Sequence, residues 1–242
     1  MILAIDAGNS RIKWGCYRDG EWVSTGAASH DEFSLLANAW SVMAMPERIV
    51  ISNVAGDQAR RDISGLLARF PTQPQWVTAE RERCGVKNGY SDPTKLGSDR
   101  WAGLVAAHRL QRGPVVIVNA GTALTVDALT ANGEFLGGLI VPGIKLMMRA
   151  LTTGTAHAHA LQGEYARFPV NTLDAIYSGA INAAVGSIER IAAVLSARAG
   201  STATLVISGG AAKLLVPHLG VRVVEIEHLV LEGLIALAEA TK

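Results

Sequence analysis

Residues 2–22, ILAIDAGNSRIKWGCYRDGEW, and residues 115–135, VVIVNAGTALTVDALTANGEF, align without a gap. Asn119 falls on Asp6, Gly121 on Gly8 and Thr122 on Asn9, and the later turn Asn132-Gly133-Glu134 falls on Asp19-Gly20-Glu21. In each copy a short β-compatible apolar run meets a polar, glycine-containing break, and an extended run follows. A strand-turn-strand-turn unit that occurs twice in one register predicts a duplicated architecture. The repeat places a boundary near Gly113-Pro114, giving domains 1–114 and 115–242. Both have the usual size of a compact domain, about 100–150 residues.

The remainder alternates strand and helix patterns. Residues 30–43 carry Phe33, Leu36, Ala37 and Trp40 on one helical face, 48–54 (RIVISNV) read as a buried strand, and 56–70 form a helix with Ile63, Leu66 and Leu67 inward. A strand at 75–77 and a helix at 101–111 complete the first half. In the second half, strands are expected at 134–142, 204–208 and 221–224, with helices at 144–151, 172–197, 211–215 and 229–240. This alternation makes the chain α/β. Residues 84–100 are polar and glycine-rich with no clear period, so a long functional loop is expected there.

Composition narrows the function classes. A hydrophobic content of 49% with 18% charged residues suits a well-cored globule. A net charge of +1 offers no general attraction for nucleic acid or an anionic membrane. Met1 leads directly into a strand, with no charged segment ahead of a cleavable apolar one, and no uninterrupted apolar run has a membrane span's length. Cys16 and Cys84 are too few for a disulfide framework and suit a reducing compartment; Cys16 reads as a small core residue.

Three stretches carry candidate chemistry. In the first turn, Gly8 permits unusual backbone geometry and close approach, Asn9 and Ser10 add short polar side chains, Lys13 adds a cation and Asp6 a carboxylate able to hold Mg2+ directly or through water. Such a turn can cradle a polyphosphate, or it can be a plain hairpin turn. Its polar recurrence at residues 119–123 favours the cradle, since a mere hairpin has no need to repeat those groups. Ser98 or Asp99 then opens a helix, either as a simple cap or as part of an anion site, and Arg100 opposes the helix dipole there and so calls for an anion. Gly137-Gly138 allows close approach of a ligand or marks a bulge. His157 and His159 lack a third metal ligand nearby and read as surface residues. Thr172 caps or begins the longest helix, whose Ala175, Gly179, Ala180, Ala183, Ala184 and Gly186 would admit a close neighbour, either the chain's own sheet or a second subunit.

Four motifs stand in order: Asp6-Ala7-Gly8-Asn9-Ser10 with Lys13, Gly97-Ser98-Asp99-Arg100, Asn119-Ala120-Gly121-Thr122-Ala123 running to Asp127, and Gly137-Gly138-Leu139-Ile140-Val141-Pro142-Gly143. Together they resemble the type III pantothenate kinases, over nearly the whole chain. That family sits in the acetate and sugar kinase, Hsp70 and actin superfamily. The resemblance therefore implies duplicated actin-like (ribonuclease H-like) α/β domains, each a mixed, five-stranded-type sheet with flanking helices.

It also implies ATP-dependent phosphorylation of the primary hydroxyl of pantothenate to 4'-phosphopantothenate, the first step of coenzyme A biosynthesis, in the cytoplasm. Carried over by position, Asp6, Ala7, Gly8, Asn9, Ser10, Arg11, Ile12 and Lys13 would bind the ATP phosphates, with Mg2+ at Asp6, and Thr122 would touch them from the other half. Asp99 would accept the proton of the attacking hydroxyl. Tyr90, Gly97, Ser98, Asp99, Arg100 and Thr172 would bind pantothenate, with Thr172 supplied by the neighbouring subunit of a homodimer. Family members commonly carry Asp where this chain has Asn119, beside a bound monovalent cation; Asn keeps a carbonyl ligand without the charge, so weaker K+ or NH4+ binding is expected. Two other readings fit the same pattern: a different small-molecule kinase or phosphatase on this fold, and a nucleotide-dependent regulatory protein.

Overall fold

A computed structural model describes residues 1–152 and 163–240. The histidines at 157 and 159 lie outside the described residues. The chain divides into two compact units, Met1–Leu110 with His228–Lys242, and Gln111–Glu227.

In the first unit, β1 (Ile2–Ala7), β2 (Arg11–Arg18) and β3 (Glu21–Ser29) form an antiparallel meander. After α1 (Phe33–Ser41), β4 (Arg48–Asn53) joins β1 in parallel, and after α2 (Asp57–Leu67), β5 (Pro74–Trp76) joins β4 in parallel. The strand order is β3-β2-β1-β4-β5. Leu3, Ile5, Ile12, Trp14, Ile49 and Ile51 from the sheet pack with Leu36, Trp40, Ile63 and Leu67 from the two helices, as the helical spacing of those apolar residues predicts. Cys16 is buried in the same core.

The stretch from Cys84, expected to be an irregular loop, begins instead with a small hairpin of β6 (Glu82–Arg83) and β7 (Val86–Asn88). Cys84 at φ 52 and Gly85 at φ 78 make its two-residue turn. Left-handed geometry at both central positions matches the twist of paired strands, a signal too short to show as periodicity. The helix α3 (Ser98–Leu110) follows.

The second unit repeats the topology. Strands β8 (Val115–Ala120), β9 (Ala123–Leu129) and β10 (Glu134–Pro142) form a meander. After α4 (Ile144–Thr152) and α5 (Thr172–Ala199), β11 (Thr204–Ser208) pairs in parallel with β8; after α6 (Ala212–Leu215), β12 (Val223–Glu225) pairs in parallel with β11. The order β10-β9-β8-β11-β12 is that of the first unit. The alignment of the two copies is not gapless in space, however. Asp6 pairs with Lys13 but Asn119 with Thr125, so the second turn is one residue shorter. A one-residue slip would otherwise turn every side chain of β9 to the wrong face. A register shift between Phe135 and Gly137 leaves Leu136 as the extra residue of a bulge immediately before the glycine pair.

Sequence order assigned residues 228–240 to the second domain, and the structure moves them to the first. Helix α7 (Leu229–Glu239) packs on α3, where a Cβ on Gly233 would collide with the Ala102 carbonyl, so only glycine lets the two backbones come this close. Arg83 Nη2 donates to the Leu237 carbonyl at 3.0 Å and Arg48 donates to that of Ala238, satisfying the helix C-terminus. Trp22 Nε1 donates to Glu232 at 2.6 Å, and Arg109 pairs with Glu239 at 2.8 Å.

The long helix α5 is the one described helix long and apolar enough for a membrane span, with a mean hydropathy of 1.3 over its best window. Small residues spread along it give this value without an uninterrupted apolar run. Its Ala180, Ile181, Ala184, Val185, Ile188 and Leu195 are buried in the core of the second unit. Its Ala175, Gly179, Ala183 and Gly186 are exposed. The small residues thus serve two faces, one against the chain's own sheet and one open.

Candidate active site

Asp6 is the penultimate residue of β1, in the middle of the first unit's sheet, with Lys13 beside it on β2 and Ser52 beside it on β4. It is 8% exposed, and its Oδ1 is buried without a hydrogen-bond partner. Burial, and then the nearby charge of Asp99, push its pKa up to about 7 against the opposing pull of Lys13 and a hydrogen bond from Ser52. A buried carboxylate oxygen left unpartnered costs stability, and a divalent cation is the kind of group that would satisfy it. Asp6 therefore fits a Mg2+ ligand. Among the described residues no three His, Cys, Asp or Glu side chains cluster as a metal site, so most of the remaining coordination would fall to phosphate oxygens and water.

The turn after β1 differs from the expected cradle in one respect. Gly8 is not among the glycines at positive φ, and its N–H donates to the Arg11 carbonyl at 3.1 Å, closing the hairpin. The Gly121 N–H likewise donates to the Ala123 carbonyl at 3.0 Å. Those two amides are spent within their turns. Asn9, Ser10 and Arg11 form the exposed tip, Lys13 is half-buried, and Ala7 and Ile12 are core residues that can face a ligand only through their backbones. His30 lies just ahead of α1 rather than within it, and its Nε2 donates to the Gly8 carbonyl at 2.7 Å, bracing the turn.

The second motif forms the start of α3. The first helical bond runs from Trp101 N–H to the Gly97 carbonyl at 2.9 Å, so Gly97 precedes the helix and Ser98, Asp99 and Arg100 make its first turn. Neither Ser98 nor Asp99 is the cap residue. Asp99 Oδ1 instead takes the Arg100 N–H at 2.7 Å, and a Cβ on Gly97 would stand 2.6 Å from that oxygen. Burial raises the Asp99 pKa against the pull of the Arg100 N–H and guanidinium. Arg100 is 7% exposed, and its Nη1 donates to the Tyr90 hydroxyl at 2.8 Å, so the basic group that opposes the dipole is held in place beside an aromatic ring. Ser98 turns inward, its Oγ 2.9 Å from Ser52 Oγ and accepting from the Asn53 N–H at 3.2 Å.

The first unit thus brings Asp6, Lys13, Ser98, Asp99, Arg100 and Tyr90 into two adjoining motifs. Asn119, Thr122 and Thr172 belong to the second unit. Asn119 is the penultimate residue of β8, between Thr125 and Ser208, and Thr122 is exposed, its carbonyl accepting from the Gly143 N–H at 2.9 Å. Thr172 is the exposed first residue of α5, whose cap is Asn171: its Oδ1 accepts from Asp174 N–H at 3.0 Å. Sequence reasoning passed over Ser52 and His30. A lone serine in the apolar run RIVISNV was the available signal for the first; for the second there was none.

A family profile described as type III pantothenate kinase matches residues 2–194. The chain belongs to the type III pantothenate kinase family. It is 46% identical to the type III pantothenate kinase of Nitrosospira multiformis, covering 100% of this chain and 92% of that one. It is 44% identical to that of Aromatoleum aromaticum, covering 98% of both. Its fold is similar to that of the inorganic polyphosphate/ATP-glucomannokinase from Arthrobacter sp. strain KM, with a TM-score of 0.52 at 13% identity over 98% of both chains. That likeness is one of fold alone, and it accompanies two units that share one strand order.

Proposed function

We infer that this chain transfers the terminal phosphoryl group of ATP to the primary hydroxyl of pantothenate, giving ADP and 4'-phosphopantothenate. Beyond family membership, the reading is carried by one juxtaposition: a buried carboxylate with an unpartnered oxygen, Asp6, feels the charge of a second carboxylate, Asp99, itself next to a fixed guanidinium. Phosphoryl transfer passes through a loose transition state, so the protein mainly positions groups and neutralises charge. Mg2+ supplies part of that neutralisation when bound, and Asp6 Oδ1 would hold it. Lys13 adds a cation, and the tip of the first turn offers Asn9 and Ser10.

Asp99 orients the acceptor hydroxyl. As the new O–P bond forms and the bond to ADP breaks, the hydroxyl becomes acidic and its proton passes to Asp99. A raised pKa makes Asp99 a better proton acceptor than an ordinary carboxylate. Arg100 suits the carboxylate of pantothenate because its planar fork can give two parallel hydrogen bonds.

By the family pattern Thr122 touches the phosphates, and Thr172 reaches the acceptor from a second copy of the chain. The open small-residue face of α5, with nothing within 4 Å of a Cβ placed on Gly179 or Gly186, supports a homodimer there. The cytoplasm suits an enzyme with two free cysteines. ADP release with pantothenate, with and without Mg2+, tests the function, with acetate, glycerol and polyphosphate as competing acceptors. Release that depends on pantothenate and Mg2+ is expected; release with another acceptor and none with pantothenate would overturn the reading.

A further inference from the structure

The loop between β7 and α3 carries Tyr90, and two side chains outside the proposed chemistry hold it. Asn88 is 4% exposed; its Oδ1 accepts from the Tyr90 N–H at 3.0 Å and its Nδ2 donates to the Pro93 carbonyl at 3.2 Å. Arg81 faces the same backbone. Its Nη1 donates to the Tyr90 carbonyl at 3.0 Å and the Asn88 carbonyl at 3.4 Å, and its Nη2 to the Ser91 carbonyl at 3.1 Å. The Arg81 carbonyl in turn accepts from the Asn88 N–H at 2.9 Å.

Carbonyls in an irregular surface loop ordinarily turn to water, and water imposes no particular spacing on them. A guanidinium is planar, permanently charged and rigid, so gathering three carbonyls on one group fixes how the loop backbone curves. The Tyr90 hydroxyl lies at the far end of the same residue and receives Arg100 Nη1 at 2.8 Å. A continuous path therefore runs from Arg81 through the Tyr90 backbone and ring to the Arg100 guanidinium. A change in loop curvature moves the hydroxyl that orients Arg100.

We propose that Arg81 is a positioning residue for the acceptor: by clamping the carbonyls of Asn88, Tyr90 and Ser91 it sets where Tyr90 holds Arg100, and so sets affinity for the acceptor's carboxylate. The substrate half of this inference rests on the assignment of Arg100 to that carboxylate. The clamp itself does not.

The test combines steady-state kinetics, hydrogen exchange and thermal unfolding on Arg81→Ala, Arg81→Lys and Arg100→Gln. Arg81→Ala is expected to raise KM for pantothenate roughly tenfold, the factor that about 1.4 kcal/mol represents. Its kcat and its KM for ATP stay within about twofold of the parent, on the same arithmetic, while the amides of Asn88 and Tyr90 exchange faster and Tm holds. Arg81→Lys keeps the charge but loses the fork, and recovers part of the KM. Unchanged KM and unchanged exchange in Arg81→Ala would overturn the proposal, as would a fall in kcat and Tm together, which would mean general destabilisation. If Arg100→Gln leaves KM for pantothenate unaltered, the carboxylate assignment fails, and with it the substrate half of the inference. Exchange at residues 88–91 would still report on the clamp separately.

Discussion

Ser52 and Ser98 meet hydroxyl to hydroxyl at 2.9 Å, and both are buried. Ser52 donates to the carboxylate of Asp6, its neighbour across the parallel strands, and Ser98 accepts from the Asn53 N–H. The pair ties the end of β1 to the first turn of α3, and so ties Asp6 to the element that carries Asp99. Ser52→Ala leaves Ser98 and Asp6 each short of a partner in the interior. A loss of about 1–3 kcal/mol is expected in denaturant unfolding, with kcat lowered by about tenfold at saturating substrates as Asp6 loses its orientation. Parent-like values for both quantities would make the two hydroxyls spectators.

Asp6 also sets a pH dependence of stability. Its pKa stands near 7 in the folded protein and near the ordinary value of about 4 in the unfolded chain. Between those values the folded state keeps a proton that the unfolded state has released, so stability falls as pH rises through that window and levels off above it. Metal-free protein should therefore lose Tm between pH 5 and pH 7 by more than the Asp6→Asn variant does. Parallel Tm profiles for the two proteins would mean that Asp6 titrates like an ordinary carboxylate.

Asp99→Asn keeps an oxygen able to accept the Arg100 N–H but loses the ability to take a proton. Turnover should fall by roughly 10²-fold or more, the usual scale for a positioned base, while the fold is kept. Near-normal ADP release from the purified variant would remove Asp99 from the role of proton acceptor.

The duplicated start of each sheet was legible because its signal is local and repeated: an apolar run, a polar turn and a second run recur, whereas the parallel placement of the later strands was not. The one-residue shortening of the second turn was not, because Ala123 passes equally well as the last turn residue or the first strand residue. The return of α7 to the first unit was hidden for a different reason. What draws it there is a close fit at Gly233 and two guanidinium groups on its last carbonyls, contacts between residues far apart in sequence. At the site, Arg100 announced itself as a charge opposing a helix dipole, Asp6 as a carboxylate in a repeated polar turn and Asp99 as an acidic residue at a helix start. Ser52, His30 and Arg81 did not, since a serine in a strand, a histidine before a helix and an arginine on the surface each have ordinary explanations until their partners are seen.

Asn119, which we propose stands where the family pattern has Asp beside a monovalent cation, offers a test of charge alone. It sits half-buried near the end of β8, between Thr125 on β9 and Ser208 on β11, so its side chain springs from the position in the second unit that Asp6 holds in the first. A carboxamide oxygen can coordinate K+ or NH4+, but without a negative charge it gains only an ion–dipole attraction, and cations that take hard oxygen ligands favour carboxylates. Activation by K+ should accordingly be shallow in the native chain. Asn119→Asp supplies a carboxylate at nearly constant shape and should make activation steeper and saturable at lower salt. Titrating KCl against choline chloride at constant ionic strength separates this from general screening, which acts equally with either salt. Steep, saturable activation of the native protein would show that neutral oxygens already suffice for the cation, and that the missing charge at residue 119 is made up by other ligands.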